Sequence, residues 1–430
     1  MKNTNKTKKS QRENQLEPLI DLKPSGKRRN WDKAKKMSLA VSSAYSQNID
    51  LEKYGEKIRD CGSYLKFKAC TDVTHGKKLV DAYFCKCRQC VMCQGRKSNF
   101  IRKQVIDLAH EHLARYSTDV PLLLTLTVPN EPGSNMIQTI NQMTAAWKRL
   151  MQLKKVKGAT RSWFRSLEIT YNHDRDDFHP HFHAVLMMPK LYFRRKSGLY
   201  ITRDEWLRLW KQSMRDDRIT QVDIRKLKPK GKGELEAFVG EAAKYATKPS
   251  SYILENEMGR YEADPQVVSD LHYALRGRRL VAYGGVFSQI RKEKKMEDVE
   301  KADLVNANAE DVSNKCHCKI CKSELVEELY RWNFGVEQYR RAPLRGQEDV
   351  EDFQETEVVH EDDLSQEEEK NSSHYVDIEE MRGEASYGFE EVREDISSHF
   401  EEASPQTLRI DSKDDSIQQQ NFSLFLRGPP

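Results

Sequence analysis

Histidines alternate with apolar residues in the stretch from His179 to Leu186, which reads HPHFHAVL. This period of two is typical of a β-strand with one face packed on a core. On such a strand His181 and His183 project from the same face. Two neighbouring imidazoles on a rigid strand are a natural pair of metal ligands, whereas the alternative from spacing alone is a pair of exposed surface histidines.

A carboxylate that could complete a metal site comes from the preceding strand. Residues 163–171 alternate apolar and polar side chains, with Glu168 on the polar face. The polar turn at 172–177 is short, so the two strands are expected to be antiparallel neighbours. Glu168 would then lie beside His181 and His183 in a site with open positions, suited to a divalent ion that polarises a phosphate. The alternative is a surface glutamate.

A tyrosine near the end of a predicted helix is a candidate nucleophile. Apolar residues from Leu235 to Ala243 recur at helical spacing, and Pro249 closes the helix. Glu241 and Tyr245 are four residues apart and therefore share one helix face. A tyrosine can attack a phosphodiester and form a covalent phosphotyrosine, although a lone helical tyrosine is more often a packing residue. Tyr252 is the less favoured nucleophile because it follows the proline.

The nine cysteines suggest thiolate chemistry, because the CxxC pair Cys90 and Cys93 can hold one side of a tetrahedral zinc ion. A second pair must close such a site, and we favour Cys61 and Cys85, which makes Cys61, Cys85, Cys90 and Cys93 the structural zinc ligands. Cys70 and Cys87 remain spare thiols or alternative ligands, and buried free cysteines are the competing interpretation. A second group of potential ligands lies farther along the chain and suggests either another metal cluster or free thiols. It comprises Cys316, His317, Cys318 and Cys321.

The remaining periodic runs predict the elements that position these residues. In chain order they are a helix near 98–115, a strand at 122–128, a helix over 137–151, a helix opened by the capping box Thr202–Glu205, and a strand at 222–224. The order from residue 122 to residue 248 is strand, helix, strand, strand, helix, strand, helix. It predicts an α+β fold with one antiparallel sheet and helices.

Charge is distributed unevenly along the 430 residues. Residues 346–430 hold 25 Asp and Glu against 6 Lys and Arg, whereas the rest of the chain holds 66 basic and 42 acidic residues, a net charge of +24. A body this basic favours a polyanionic partner, most simply nucleic acid, although a solvated basic surface is the alternative. No apolar run is long enough to cross a bilayer and no signal peptide is evident, so we expect a cytoplasmic protein whose thiols bind metal rather than form disulfides.

In combination these motifs resemble the rolling-circle replication initiators of small bacterial plasmids, members of the HUH endonuclease superfamily. The likeness covers roughly residues 55–340, and one departure is Val91-Met92 inside the CxxC, where the family often has proline first. The matching stretches are DCGSYL near Cys61, FCKCRQCVMC (84–93), LTLTVPN (124–130), LEIT through HPHFHAVL (167–186), EAAKYATK (241–248), YGGVFSQI (283–290) and YRWNFGVEQY (330–339).

The resemblance implies a fold and a mechanism. The fold is ferredoxin- or RRM-like, with helices packed on one side of the central sheet. A divalent ion, Mg or Mn, on His181, His183 and Glu168 would polarise the scissile phosphate at the double-strand origin. Tyr245 would attack it, leaving a 5′-phosphotyrosine and a free 3′-hydroxyl for the host polymerase, and Glu241 would activate water for the terminal cleavage.

Several secondary expectations follow from the same resemblance. Lys244 and Lys248 could contact the phosphate or phenolate, with solvated helix lysines as the alternative, and His179 resembles a residue that supports the ligands. Expected partners are double- and single-stranded origin DNA, a host helicase and polymerase, with no membrane and no small-molecule substrate. The rival functions are a transposase or mobilisation relaxase of the same superfamily, and a non-enzymatic zinc-stabilised DNA-binding regulator.

The expected domain organisation has five parts. They are a disordered basic arm (1–45), a Cys-rich zinc-binding module (46–105), an HUH catalytic domain (106–295), a C-terminal extension with a Cys cluster (296–345) and a disordered acidic tail (346–430).

Overall fold

The computed structural model describes residues 17–23, 25–226, 235, 239–240, 242–243, 246–305 and 317–344. The predicted acidic tail and the first 16 residues of the predicted basic arm lie outside these ranges. So do four residues singled out in the sequence, which are Glu241, Lys244, Tyr245 and Cys316.

Helices and strands of the described residues are numbered in chain order. The helices are α1 (Trp31–Ser46), α2 (Glu52–Asp60), α3 (Val91–Arg115), α4 (Met136–Gln152), α5 (Lys154–Ala159), α6 (Arg203–Met214), α7 (Pro265–Leu275) and α8 (Val286–Glu293). The strands are β1 (Tyr64–Ala69), β2 (Lys77–Ala82), β3 (Val120–Thr127), β4 (Ser162–Asn172), β5 (Asp177–Met188), β6 (Val222–Lys226), β7 (Ala246–Thr247), β8 (Ile253–Glu255), β9 (Tyr261–Ala263), β10 (Val281–Gly285), β11 (Val326–Asn333) and β12 (Gln338–Ala342).

The central sheet has the strand order β10-β4-β5-β3-β6, and all four of these pairings are antiparallel. The short strand β7 adds to the same edge of β4 as β10, but it runs parallel to β4. The antiparallel sheet with helices confirms the predicted α+β class.

One face of the central sheet packs under α4 and α6. Trp147 of α4 contacts the rings of Trp163 and Phe182, with centroid distances of 5.2 and 5.9 Å, and Trp210 of α6 contacts Phe182 at 6.4 Å. This face carries the apolar set that the period-two pattern predicted.

The opposite face meets α3 at the end where β4 begins. His112 Nδ1 of α3 lies 2.9 Å from Ser162 Oγ, and the Tyr283 hydroxyl of β10 donates to Gln104 Oε1 of α3 at 3.2 Å. Ser162 and Tyr283 project from the face opposite to Trp163. The expectation that helices pack on one side is therefore wrong, because α3 also has an apolar stripe to bury.

A second, four-stranded sheet has the order β12-β11-β1-β2. Antiparallel pairing of β1 with β11 runs from Tyr64 opposite Arg331 to Ala69 opposite Val326. Residues assigned from sequence to the zinc-binding module and to the C-terminal extension thus form one sheet.

Two helices differ from their sequence-based bounds. Residues 31–45 of the predicted disordered arm belong to α1, whose buried positions include Met37, Val41 and Tyr45 at helical spacing. Small and polar buried residues between them concealed this stripe in the sequence. Helix α3 begins at Val91, directly after Cys90, rather than near residue 98. Among the described residues, every helix is too short or too polar to cross a membrane.

Candidate active site

Strands β4 and β5 place a carboxylate beside the two histidines. Their antiparallel register sets Glu168 opposite His181 and Ser166 opposite His183. This is the pairing that the short polar turn predicted. All these side chains therefore project from the face opposite to Phe182.

The three side chains converge on one point. Glu168 Oε2 lies 3.2 Å from His181 Nε2 and 2.9 Å from His183 Nε2. The three residues are only 4, 8 and 6% exposed, in the order Glu168, His181, His183, which excludes a surface glutamate and surface histidines. The strand itself was expected to be half-buried, with one face exposed. This is wrong, because β5 is buried on both faces from Pro180 to Met188.

Both imidazoles are oriented by a contact at Nδ1. The Nδ1 atom of His181 lies 3.1 Å from the His179 carbonyl, which can only accept, so this nitrogen must carry the proton. The Nδ1 atom of His183 lies 3.3 Å from Thr125 Oγ1 on β3. Each ring thereby turns Nε2 toward Glu168, and in neutral His181 that atom has the free lone pair.

The donor set fits a small divalent ion. Two lone-pair nitrogens and a carboxylate oxygen would repel one another without a cation or a proton between them. Octahedral ligands with bond lengths of about 2.1 Å lie about 3 Å from their neighbours, which matches the 2.9 and 3.2 Å separations. Glu168, His181 and His183 would hold the ion and leave further positions open.

His179 contributes through its backbone. Its ring stacks on that of His181 with a centroid distance of 5.2 Å. Burial, followed by the neighbouring His181, lowers the pKa of His179 to about 4. The ring is therefore neutral at pH 7, and its carbonyl is the group that orients His181.

Substitution of Thr125 tests whether the contact at His183 Nδ1 orients this histidine for metal binding. We expect Thr125→Val, which removes the hydroxyl but keeps the shape, to weaken Mn²⁺ binding by about 10- to 100-fold. Binding is measured by titration, with the free ion followed by electron paramagnetic resonance. Thr127→Val is the matched control, because the Thr127 hydroxyl donates to the Gln221 carbonyl. Equal affinities in the two variants would contradict the assigned role of Thr125.

Glu168, His181 and His183 are called the triad below. Described residues before and after Tyr245 lie against β4, the strand that carries Glu168. Ser166 Oγ donates to the Ala242 carbonyl at 2.6 Å, and Ala246 pairs in register with Glu168. The exposed Lys248 donates its backbone N–H to the Ile169 carbonyl at 3.4 Å. The chain thus contacts β4 at Ala242 and again at Ala246.

Tyr252, the less favoured nucleophile, is a core residue. Its side chain is 1% exposed and belongs to the hydrophobic core cluster. A phenol buried in this way is not accessible to a DNA phosphate.

The four favoured cysteines also come together. Cys61 ends α2, Cys85 follows β2, and Cys90 and Cys93 lie at the start of α3. The Cys93 sulfur is 3.5 Å from that of Cys61 and 3.8 Å from that of Cys85, and all four sulfurs lie within 4.8 Å of one another. Tetrahedral zinc with Zn–S bonds of about 2.3 Å separates its sulfurs by about 3.8 Å. Zinc ligation here stays a prediction, and Cys87 lies outside this group.

Comparison with known proteins decides the family. A family model described as replication protein matches residues 76–340, which is more than half of the chain and includes the triad. The chain belongs to the replication-protein family. The resemblance to plasmid replication initiators is thereby confirmed.

Individual relatives agree with this assignment. A Rep protein of Streptococcus pneumoniae serotype 2 is 36% identical over 68% of this chain and 88% of its own length. A Rep protein of Bacillus amyloliquefaciens is 33% identical over 76% of this chain and 98% of its own length. No solved structure matches the chain.

In this replication protein a buried lysine lies beside the four-cysteine group. The Lys35 ammonium of α1 is fully buried and donates to the carbonyls of Arg59 and Cys61. Burial lowers the pKa of Lys35, while the Cys61 and Cys90 sulfurs oppose this effect. Four thiolates on one zinc carry a net charge of −2, so a nearby ammonium would reduce the electrostatic penalty of burying them.

A second ligand group was only partly foreseen. Cys70, expected to be a spare thiol or an alternative ligand of the first group, lies with His75, Cys318 and Cys321, and their donor atoms are within 4.8 Å of one another. His75 was missed, although its spacing of five residues from Cys70 was a usable signal. His317 is not a member of the group.

Proposed function

We propose that this plasmid replication initiator is a metal-dependent, site-specific endonuclease that nicks one strand of the double-strand origin for rolling-circle replication. The observation that carries the proposal is the convergence of Glu168, His181 and His183, with Ala246 paired to Glu168. Glu168 thus lies between His181 on one neighbouring strand and Ala246, the residue after Tyr245, on the other.

The chain's own residues would bind and orient the scissile phosphate. A Mg²⁺ or Mn²⁺ ion held by the triad would polarise the phosphate and offset its charge. Thr125 and the His179 carbonyl keep Nε2 of each histidine directed at the ligand position. Lys248, which is exposed, could contact the DNA backbone.

Tyr245 would be the nucleophile. Its phenolic oxygen attacks the phosphorus, a new O–P bond forms, and the bond to the 3′ oxygen breaks. The phenolic proton is lost and the leaving oxygen gains one, so the products are a 5′-phosphotyrosine and a free 3′-hydroxyl that a host polymerase can extend. The energy of the broken bond is retained in the phosphotyrosine for later rejoining.

Termination requires a second cleavage after one round of copying. We infer that Glu241, which is four residues before Tyr245 in the sequence, activates water for this step as a general base. Water would leave no second covalent adduct, whereas a second tyrosine at this position would be typical of a transposase. The replication-protein family match also favours an initiator over a transposase or relaxase.

A supercoiled plasmid that carries the origin provides the test. We expect purified protein with Mg²⁺ or Mn²⁺ to convert it to a nicked circle whose 5′ end is blocked by protein and whose 3′ end is extended by a polymerase. Chelation should stop the reaction, and a plasmid without the origin is the control. Origin binding without nicking in either metal would instead identify a non-enzymatic DNA-binding regulator.

A further inference from the structure

Strands β1 and β11 bring two cysteine-bearing segments together at one end of the four-stranded sheet. Ala69, the last residue of β1, is paired with Val326, the first residue of β11. Cys70 therefore begins the segment that leaves β1, and Cys318 and Cys321 precede the entry into β11. The sulfurs of Cys70 and Cys321, 251 positions apart in the chain, are 3.4 Å from each other.

We propose that Cys70, His75, Cys318 and Cys321 form a second structural zinc site, separate from the four-cysteine group. His75 Nδ1 is 3.5 Å from the sulfurs of both Cys70 and Cys318. These separations resemble the spacing of about 3.8 Å between ligands of tetrahedral zinc. Three thiolates and one imidazole are a common structural zinc ligand set.

The ring of His75 has the orientation of a zinc ligand. Its Nδ1 faces the sulfurs, while its Nε2 lies 3.4 Å from the Asp72 carboxylate. A carboxylate on the far nitrogen holds a ligating imidazole in the tautomer with its free lone pair toward the metal. Asp72 is itself fixed, because it accepts from the Thr74 backbone N–H at 2.9 Å.

The CxxC pair forms a tight turn. Cys318 N–H donates to the Ser323 carbonyl at 2.7 Å, and Lys322 N–H donates to the Cys318 carbonyl at 3.0 Å. Lys322 has a φ of +63°, a left-handed conformation uncommon for a non-glycine residue. This closed turn places the sulfurs of Cys318 and Cys321 on the same side, toward Cys70 and His75.

The surroundings of Cys70 favour the thiolate form. Its sulfur accepts from the Asp72 backbone N–H at 3.4 Å and lies 3.3 Å from the Ser323 hydroxyl. Thiolate is the form that binds zinc.

A disulfide between Cys70 and Cys321 is the competing interpretation of the short sulfur separation. It would leave Cys318 and the His75 imidazole facing a bond that neither group can join. A zinc ion instead uses all four donors. The zinc ion would also crosslink the segment after β1 to the segment before β11. Such a long-range crosslink stabilises the fold by reducing the conformational entropy of the unfolded chain.

Zinc content of the full chain tests the proposal. We expect Cys321→Ser, at an exposed position, to contain one zinc ion per chain fewer than wild type by inductively coupled plasma mass spectrometry. Cys87→Ser is the matched control, since Cys87 belongs to neither group, and it should retain the wild-type content. Equal zinc content in Cys321→Ser and wild type would overturn the proposal.

Alkylation of the wild-type protein gives a second readout that needs no variant. We expect N-ethylmaleimide to label Cys321 at least tenfold more slowly before chelation than after it, as followed by peptide mass spectrometry. Equal rates would overturn the proposal, as would a linked Cys70–Cys321 peptide that only a reductant opens. Neither measurement depends on DNA cleavage, so failure of the zinc site is distinguishable from failure of the nicking function.

Discussion

Tyr245→Phe is expected to abolish the covalent adduct between this protein and nicked origin DNA. The substitution removes only the phenolic oxygen, and phenylalanine keeps the ring, so the metal triad and the DNA-binding surface remain. Loss of the nucleophile should reduce nicking by about 10³-fold or more, because the triad alone offers no group to attack phosphorus. The measurement is the fraction of supercoiled plasmid converted to protein-linked nicked circle, with Mn²⁺ present.

Tyr252→Phe is the matched control for this experiment. It makes the same chemical change seven positions later, in a side chain that is 1% exposed. We expect this variant to keep the adduct at near wild-type levels. An adduct that persists in Tyr245→Phe and is lost in Tyr252→Phe would show that the nucleophile has been misassigned.

The affinity of Tyr245→Phe for origin DNA distinguishes a chemical role of Tyr245 from a structural one. Origin DNA should bind Tyr245→Phe with wild-type affinity at the same salt concentration, since phosphate contacts by basic residues dominate that affinity. A variant that fails both to bind and to cleave would instead assign Tyr245 to DNA recognition or folding.

The convergence of Glu168, His181 and His183 was predictable because its signals are local. A period of two defines the histidine strand, and a short polar turn dictates an antiparallel neighbour, which together place Glu168 beside His181 and His183. The orienting contact from Thr125 was not predicted, because it depends on the pairing of β3 with β5. Register between strands separated by a long connection is not encoded in either strand alone.

The pairing of strands in the four-stranded sheet was even less predictable from the sequence. Its central pair joins β1 to β11 across most of the chain, so the sequence offered no local reason to connect Cys70 with Cys321. Helix α1 was missed for a different reason, since its buried face includes polar residues such as Lys35 and Ser38. These are buried because they bond carbonyl groups, which a hydrophobic pattern cannot reveal.

Cys93→Ser should have the largest effect on stability. Cys93 is fully buried at the start of α3, and its sulfur is near those of both Cys61 and Cys85. Structural zinc contributes about 10–16 kcal/mol in small zinc-binding peptides, which is comparable to the whole free energy of unfolding of a typical domain, about 5–15 kcal/mol. We therefore expect this variant to lose one zinc ion per chain and to unfold at a much lower temperature.

Part of the expected loss of stability in Cys93→Ser is electrostatic. With zinc and one thiolate gone, the Lys35 ammonium stays buried beside groups that no longer carry the matching negative charge. Unfolding followed by circular dichroism, with zinc measured in the same samples, tests this, and Cys87→Ser should match wild type in both. Cys93→Ser protein that keeps its zinc and its melting temperature would show that the four cysteines are packed as free thiols. Chelation of the wild type should reproduce the destabilisation, and added zinc should reverse it, because metal binding and folding of this region are then one equilibrium.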